Sequence, residues 1–328
     1  MRRELVLLSG ILLLLFTGVS AASPALPASP ASDRSGQEGY TAVVRSGDGF
    51  IAARSGGRID WINASGEIIK SENPGGEGIN SLLVSGQIII AAGNNGSLLI
   101  GSDQGNFRKV DCGAGVNMNS LTRFKKMIVV GTGPGGVLVG DESCIFSLIP
   151  LDLKGNIVSV SANDSDCYGA TDRGEIIHSR DGVNWDIFDF NQHYAGFYKP
   201  CRFTKILVTE NQVALTGKQD DGRPVLYFSS GGKVWTERSL IYTDQQGLTS
   251  YLEDQPNDIY DDPLQDRFFL VCDRGKIMTI PSCSHCNELF ELGSENLTGI
   301  TANGNTVIVV GENGFLKTVS LHLLTENQ

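Results

Sequence analysis

The chain has 328 residues, 40 of them glycine, with 26 Lys and Arg against 37 Asp and Glu. Its net charge of −11 repels phosphate backbones and anionic lipid, and no basic stripe with interleaved aromatics offsets it, so nucleic acid is excluded as an expected partner.

Met1–Ala22 carries Arg2 and Arg3, an apolar run from Leu5 to Val19, and small residues at Val19-Ser20-Ala21-Ala22 suited to signal peptidase. The run falls short of the about twenty residues that span a bilayer comfortably. We expect a cleaved signal peptide over 1–22 and a secreted or extracytoplasmic protein. No cysteine follows the run, which argues against a lipoprotein anchor, and no later segment is apolar enough to span a bilayer. Residues 23–39 (SPALPASPASDRSGQEG) have little to bury and read as a disordered Pro/Ala/Ser tether. A single folded domain over 40–328 is expected, beginning near Tyr40. Without Arg2, Arg3 and Glu4 the net charge becomes −12.

From Tyr40 onward, a short apolar run, a Gly-containing turn and a second short run recur seven times. The turn glycines are Gly57, Gly96, Gly136, Gly174, Gly222, Gly275 and Gly314, at spacings of 39, 40, 38, 48, 53 and 39 residues. Repetition at that period marks a blade-by-blade architecture. The clearest unit reads Ile79–Val84, Gln87–Ala91, the turn Gly93-Asn94-Asn95-Gly96, Leu98–Ile100 and Phe107–Val110. Runs of about five residues rich in Ile and Val and bounded by Gly, Asn and Ser favour strands, and no capped helix is expected in the mature region. The fold class expected is all-β: a β-propeller of four-stranded antiparallel blades, seven by the count of turns, with six or eight left open. Only fourteen residues follow Gly314, and Asp33–Gly39 has little β-propensity, so the last sheet is expected to stop at three strands.

A second mark stands between the third and fourth strands. Ser179-Arg180-Asp181-Gly182-Val183-Asn184-Trp185 reads Ser-x-Asp-Gly-x-x-Trp, in which hydroxyl and carboxylate can bond turn backbone while the Trp packs beneath. Degenerate copies stand at Gly101–Phe107 and Ser229–Trp235, and outlines at Asn63–Ile69 and Gly140–Phe146. The motif resembles the Asp-box (BNR repeat) of sialidase-like and related β-propellers, with Ser179, Asp181, Gly182 and Trp185 as its structural residues. The whole pattern from Tyr40 to Leu324 is similar to the propeller family that includes the photosystem assembly and stability factors. That resemblance implies an architecture, and a role as a lumenal photosystem assembly factor is one reading it opens.

In such a fold the 2–3 turns and 4–1 loops share one face. Asp172, Arg173, Asp220, Asp221, Arg223, Asp273 and Arg274 are placed there, all in the C-terminal half, while Arg58 is the one comparable charge in the early repeats. The insertion Asp186–Pro200 (DIFDFNQHYAGFYKP) joins them. Its Tyr194, Phe197 and Tyr198 suit carbohydrate or peptide recognition if exposed, and a cover for the blade 4–5 junction if packed. Glu253–Asp266, with one Glu and five Asp, is placed on the opposite face as a solvated acidic loop in preference to a calcium site. A protein- or glycan-binding module, expected to be monomeric, is the leading reading.

A glycoside hydrolase of sialidase-like architecture is the enzymatic alternative. It needs an arginine cluster, a Tyr–Glu nucleophile pair and an acid. The Phe/Tyr-Arg-Ile-Pro signature that the resemblance implies is missing, Gly57-Arg58-Ile59-Asp60 being the nearest string. No nucleophile elbow, zinc-protease helix or phosphate loop occurs, so no catalytic residue, cofactor or metal is assigned. Seven cysteines, at 112, 144, 167, 201, 272, 283 and 286, suggest some disulfide pairing in an oxidising compartment. Cys283-Ser284-His285-Cys286 reads as a local disulfide or free thiols in preference to zinc. Glycosylation sequons stand at Asn63, Asn95, Asn163 and Asn296.

Overall fold

The computed structural model describes residues 37–324 apart from 76, 114, 134, 144, 244–246 and 282–286. These form a seven-bladed β-propeller. Blade 1 comprises β1 (Tyr40–Ser46), β2 (Gly49–Arg54), β3 (Ile59–Ile62) and β4 (Ile68–Glu72). Blade 2 comprises β5 (Ile79–Ser85), β6 (Ile88–Gly93), β7 (Leu98–Ser102) and β8 (Gly105–Val110). Blade 3 runs from β9 (Met118–Phe124) through β10 (Met127–Thr132) and β11 (Gly136–Gly140) to β12 (Phe146–Pro150). Blade 4 contains β13 (Ile157–Ala162), β14 (Cys167–Thr171), β15 (Glu175–Ser179) and β16 (Asp186–Asp189).

Blade 5 contains β17 (Cys201–Val208), β18 (Val213–Gln219), β19 (Pro224–Ser229) and β20 (Thr236–Arg238). A separate two-stranded hairpin follows, β21 (Ile241–Thr243) and β22 (Thr249–Tyr251). Blade 6 has β23 (Pro256–Asp262), β24 (Arg267–Cys272), β25 (Lys276–Pro281) and β26 (Glu288–Glu291). Blade 7 ends at three strands, β27 (Leu297–Asn303), β28 (Thr306–Gly311) and β29 (Leu316–Ser320), after which the chain turns into a 3-10 helix at Leu321–Leu324. Every neighbouring pair is antiparallel, as short connections require.

All seven glycines that set the repeat have left-handed backbone, with φ between 69° at Gly314 and 131° at Gly136. Glycine reaches that region without the steric cost a side chain brings. One expectation is corrected: a capped helical turn is present, α1 (Phe190–His193), with the Asp189 carboxylate accepting from the Gln192 N–H at 2.9 Å.

The apolar cores lie between blades. Ile51, Ile59 and Trp61 of blade 1 meet Ile79, Ile89 and Leu99 of blade 2, while Phe50, Ala52 and Ile62 meet Ile308 and Val310 of blade 7. Alternation along each strand sends successive side chains to the two neighbouring blades, so each sheet is covered on both faces. Each fully buried Ile or Val contributes about 1.5–3 kcal/mol.

A polar device joins the blades around the axis. In every inner strand one residue is bulged out of register: Thr41, Asn80, Asn119, Val158, Thr204, Asn257 and Thr298. Six of the seven donate a side-chain hydrogen bond to a carbonyl in the next blade. Thr41 reaches Ile79, Asn80 reaches Met118 (3.1 Å), and Asn119 reaches Ile157 (2.8 Å). Thr204 reaches Pro256, Asn257 reaches Leu297, and Thr298 closes the ring onto Tyr40, each at 2.8 Å. Val158 has no donor, so the ring is broken only at the junction of blades 4 and 5.

A second tier follows the first. Ser81, Ser120 and Ser161 accept from the backbone N–H groups of Leu121, Val160 and Val208, all at 3.0 Å. Asp258 accepts from the Ile300 N–H at 3.1 Å and pairs with Lys205 at 2.8 Å. The seven bulged residues, with Ser81, Ser120, Lys205 and Asp258, line an axial cavity of about 240 Å³ to which all seven inner strands contribute.

Candidate ligand-binding face

The 2–3 turns and 4–1 loops share one face, and the residues singled out there divide into packed and free. Tyr194 and Tyr198 are packed. They stand against Phe190, with ring centroids 4.7 and 6.1 Å away, and Phe190 in turn packs on Phe203, Tyr227 and Trp235. The Tyr194 hydroxyl accepts from the Trp235 N–H at 3.0 Å. This aromatic cluster seals the junction where Val158 interrupts the ring. Asn191 adds a clamp, donating to the Arg173 and Cys201 carbonyls and accepting from the Cys201 N–H. Phe197, from the same loop, is 84% exposed.

The charged residues occupy the turns as expected but pair locally. Asp172 accepts from the Asn156 backbone and side chain, at 2.9 and 3.0 Å, and Arg173 is exposed. Asp220 pairs with Arg202 at 3.4 Å, Asp221 with Lys199 at 2.6 Å, and Arg223 with Glu237 on outer strand β20. Asp273 accepts from Asn257 at 2.8 Å, and Arg274 pairs with Asp254. Arg223 and Arg274 are thus held by separate carboxylates in separate blades. Burial alone would raise the Asp254 carboxyl, yet hydrogen bonds from Arg274 and Lys276 outweigh it and hold the group below the usual range.

Glu253–Asp266 is not one loop. It begins on this face, crosses the whole molecule as inner strand β23 and emerges opposite at Asp262–Asp266, so Asp254 is buried under two cations while Asp258 belongs to the axial girdle. A strand with alternate Asp reads as a polar loop because an inner propeller strand faces a polar channel on one side. Among the described residues no group of three His, Cys, Asp or Glu could hold a metal ion.

The hairpin β21–β22 accounts for the 53-residue spacing and has no counterpart in the sequence expectations, although that spacing was its signal. It runs beside blade 6, where Asn287 donates to the Ser239 and Ile241 carbonyls at 3.0 and 2.8 Å. Tyr251 and Leu248 are 70% and 62% exposed. Tyr242, Thr249, Ser250, Tyr251, Glu253 and Lys276 enclose a hollow of about 410 Å³. A hollow of about 530 Å³ at the blade 2–3 junction, by Asn95, Lys109 and Asp111, has no aromatic in its wall.

A buried charge cluster fastens the entry of the chain to blade 1. Arg54 donates to Asp60 (2.7 Å), the Tyr40 hydroxyl (2.7 Å) and the Glu38 carbonyl (3.2 Å), and Ser71 donates to Asp60 at 2.6 Å. Burial, with the Asp60 charge beside it, pushes the Tyr40 phenol well above its ordinary range. These fully used groups serve structure.

On the opposite face the 3–4 turn Ser179–Trp185 is closed by its own side chains. Ser179 Oγ accepts from the Gly182 N–H (2.8 Å), Asp181 from Val183 and Asn184 (2.9 and 2.8 Å), and Trp185 Nε1 donates to the Gly182 carbonyl (3.2 Å). Ser229, Gly232 and Trp235 repeat the serine and tryptophan bonds with Gly231 at the aspartate position. All four glycosylation sequons have their asparagine side chain engaged: Asn163 donates to the Thr209 carbonyl, Asn296 to Glu312, Asn63 to Glu67 and Asn95, exposed at a turn tip, to Glu77. Cys167, Cys201 and Cys272 are buried and form no disulfide, and Cys144, Cys283 and Cys286 lie outside the described residues. Burial pushes the Cys167 thiol up to about 12 and Cys201 up to about 11.

No protein-family model and no curated protein matches the chain. Among solved structures it is similar to the crystal structure of the computationally designed Ika8 protein, with a TM-score of 0.62 and 12% identity over 87% of this chain and 96% of that one. At that identity the likeness concerns the fold alone. Among the described residues no helix is long and apolar enough to cross a membrane.

Proposed function

We propose that this propeller is a binding module that takes a protein or glycan ligand on the face of the 4–1 loops, over blades 4 to 6. The supporting observation is the pair of insertions at consecutive 4–1 junctions, which leave Phe197 and Tyr251 exposed to solvent, Tyr251 in the wall of the 410 Å³ hollow. Exposed aromatics flanked by hydroxyls and a carboxylate, here Thr249, Ser250 and Glu253, suit stacking on a sugar ring or an extended peptide. Asp172, Arg173, Asp220, Asp221, Arg223, Asp273 and Arg274 supply a charged rim around that centre, and Tyr194 and Tyr198 hold the loop that carries Phe197. The protein acts outside the cytoplasm, delivered by the leader over 1–22, and Asn63, Asn95, Asn163 and Asn296 are its candidate glycosylation sites. A glycan array and a capture experiment with Phe197→Ala/Tyr251→Ala test the reading. Loss of binding in the double variant, with unchanged melting, supports it; undiminished binding refutes it.

A further inference from the structure

Among the described residues blade 7 has three strands, one fewer than the other blades. β29 is bonded to β28 on one side, with Lys317 opposite Val309, Val319 opposite Val307, and the Gly311 N–H donating to the Phe315 carbonyl at 2.9 Å. Antiparallel alternation then turns the N–H and C=O groups of Leu316, Thr318 and Ser320 outward. No described strand pairs with them there. Burial records the vacancy: β3, the third strand of blade 1, is buried throughout, whereas Leu316, Lys317 and Thr318 are all half-exposed.

The side wall of this slot is also uncovered. Phe107 on β8 packs against Trp61 of blade 1, 6.2 Å between ring centroids. The residue of blade 1 equivalent to Phe107 is Ile69, and the residue of blade 7 equivalent to Trp61 is Thr318. The small threonine leaves Ile69 67% exposed. On the other face of β29, Lys317 is half-exposed and has no carboxylate within ion-pairing distance among the described residues. A lysine at an open edge discourages pairing between identical copies, and the net negative charge of the chain adds to that repulsion.

We propose that the open edge of blade 7 is a second binding site, which takes an extended segment of a partner protein as a fourth strand antiparallel to β29. Main-chain bonds to Leu316, Thr318 and Ser320 supply the affinity. Specificity comes from apolar side chains laid on Ile69 and a carboxylate facing Lys317. The site lies on the outer rim and is independent of the loop face described above.

The probe is a nine-residue peptide alternating valine with threonine and glutamate, with a control carrying two central prolines and a second carrying lysine for glutamate. Amide exchange is read at Leu316, Thr318 and Ser320. The glutamate peptide is expected to slow these amides by about tenfold or more at saturation, and the proline control is expected to leave them unchanged. Ile69→Asp weakens the effect, and Lys317→Glu transfers the preference to the lysine peptide. Exchange unaffected by the peptide overturns the proposal. So does slow exchange in the free chain: independent of concentration, it shows an edge already filled within the chain; growing with concentration, it shows a second copy.

Discussion

The ring of bulged residues makes a quantitative prediction at its intact and broken links. Asn119 is half-buried in the channel wall and donates to the Ile157 carbonyl at 2.8 Å, while Ile157 itself is buried. Asn119→Ala removes the donor, leaves little cavity because the side chain borders the channel, and strands a carbonyl. The expected loss is about 1–3 kcal/mol, the cost of an unsatisfied buried group. Val158→Thr is the converse test. Threonine is close to valine in shape, and at the same position Thr41 and Thr298 each bond the next blade. The equivalent target is the Phe203 carbonyl, and a gain of about 0.5–1.5 kcal/mol is expected. Urea unfolding with a common slope measures both. If Asn119→Ala costs nothing and Val158→Thr destabilises, the side-chain ring is not what couples the blades.

Gly136→Ala should destabilise by about 2–4 kcal/mol, because φ is 131° and an added Cβ would lie 2.0 Å from the Ile149 carbonyl oxygen; thermal melting checks it. Native Cys167 and Cys201, pushed up to about 12 and about 11 by burial, should resist alkylation at pH 8 and react fully once unfolded, as mass spectrometry of labelled peptides will show. Asp254 is held below its unfolded value by Arg274 and Lys276, so its contribution is present above the unfolded pKa and is lost as pH falls through the lowered one. Stability measured down from pH 5 should therefore decline less steeply in Asp254→Asn than in the native chain.

The repeat, its period and the face assignment of the turns were legible because each blade needs a glycine at the same left-handed position, so seven glycines print the architecture on the chain. The first strand at Tyr40 and the strands around Ile79–Val110 followed from the same reasoning. The bulged residues were not legible. Asn80 and Asn119 look like polar interruptions in apolar strands, and only the contact with a carbonyl some 38 residues ahead gives them a purpose. The aromatic loop illustrates a different limit, since sequence cannot separate a ring that faces solvent from one that seals a junction. Tyr194 and Tyr198 seal and Phe197 protrudes, although all three stand within five residues. The inserted hairpin was missed because its short strands, Ile241–Thr243 and Thr249–Tyr251, have the same composition as blade strands.

The binding face is tested most directly by site-resolved photocrosslinking. A photoreactive phenylalanine analogue is placed at Phe197, at Tyr251, or at Val183 on the opposite face, which is 61% exposed. Ligand captured on a glycan array or from extracellular fluid should crosslink from Phe197 and Tyr251 and not from Val183. Crosslinking from Val183 alone would contradict the assignment.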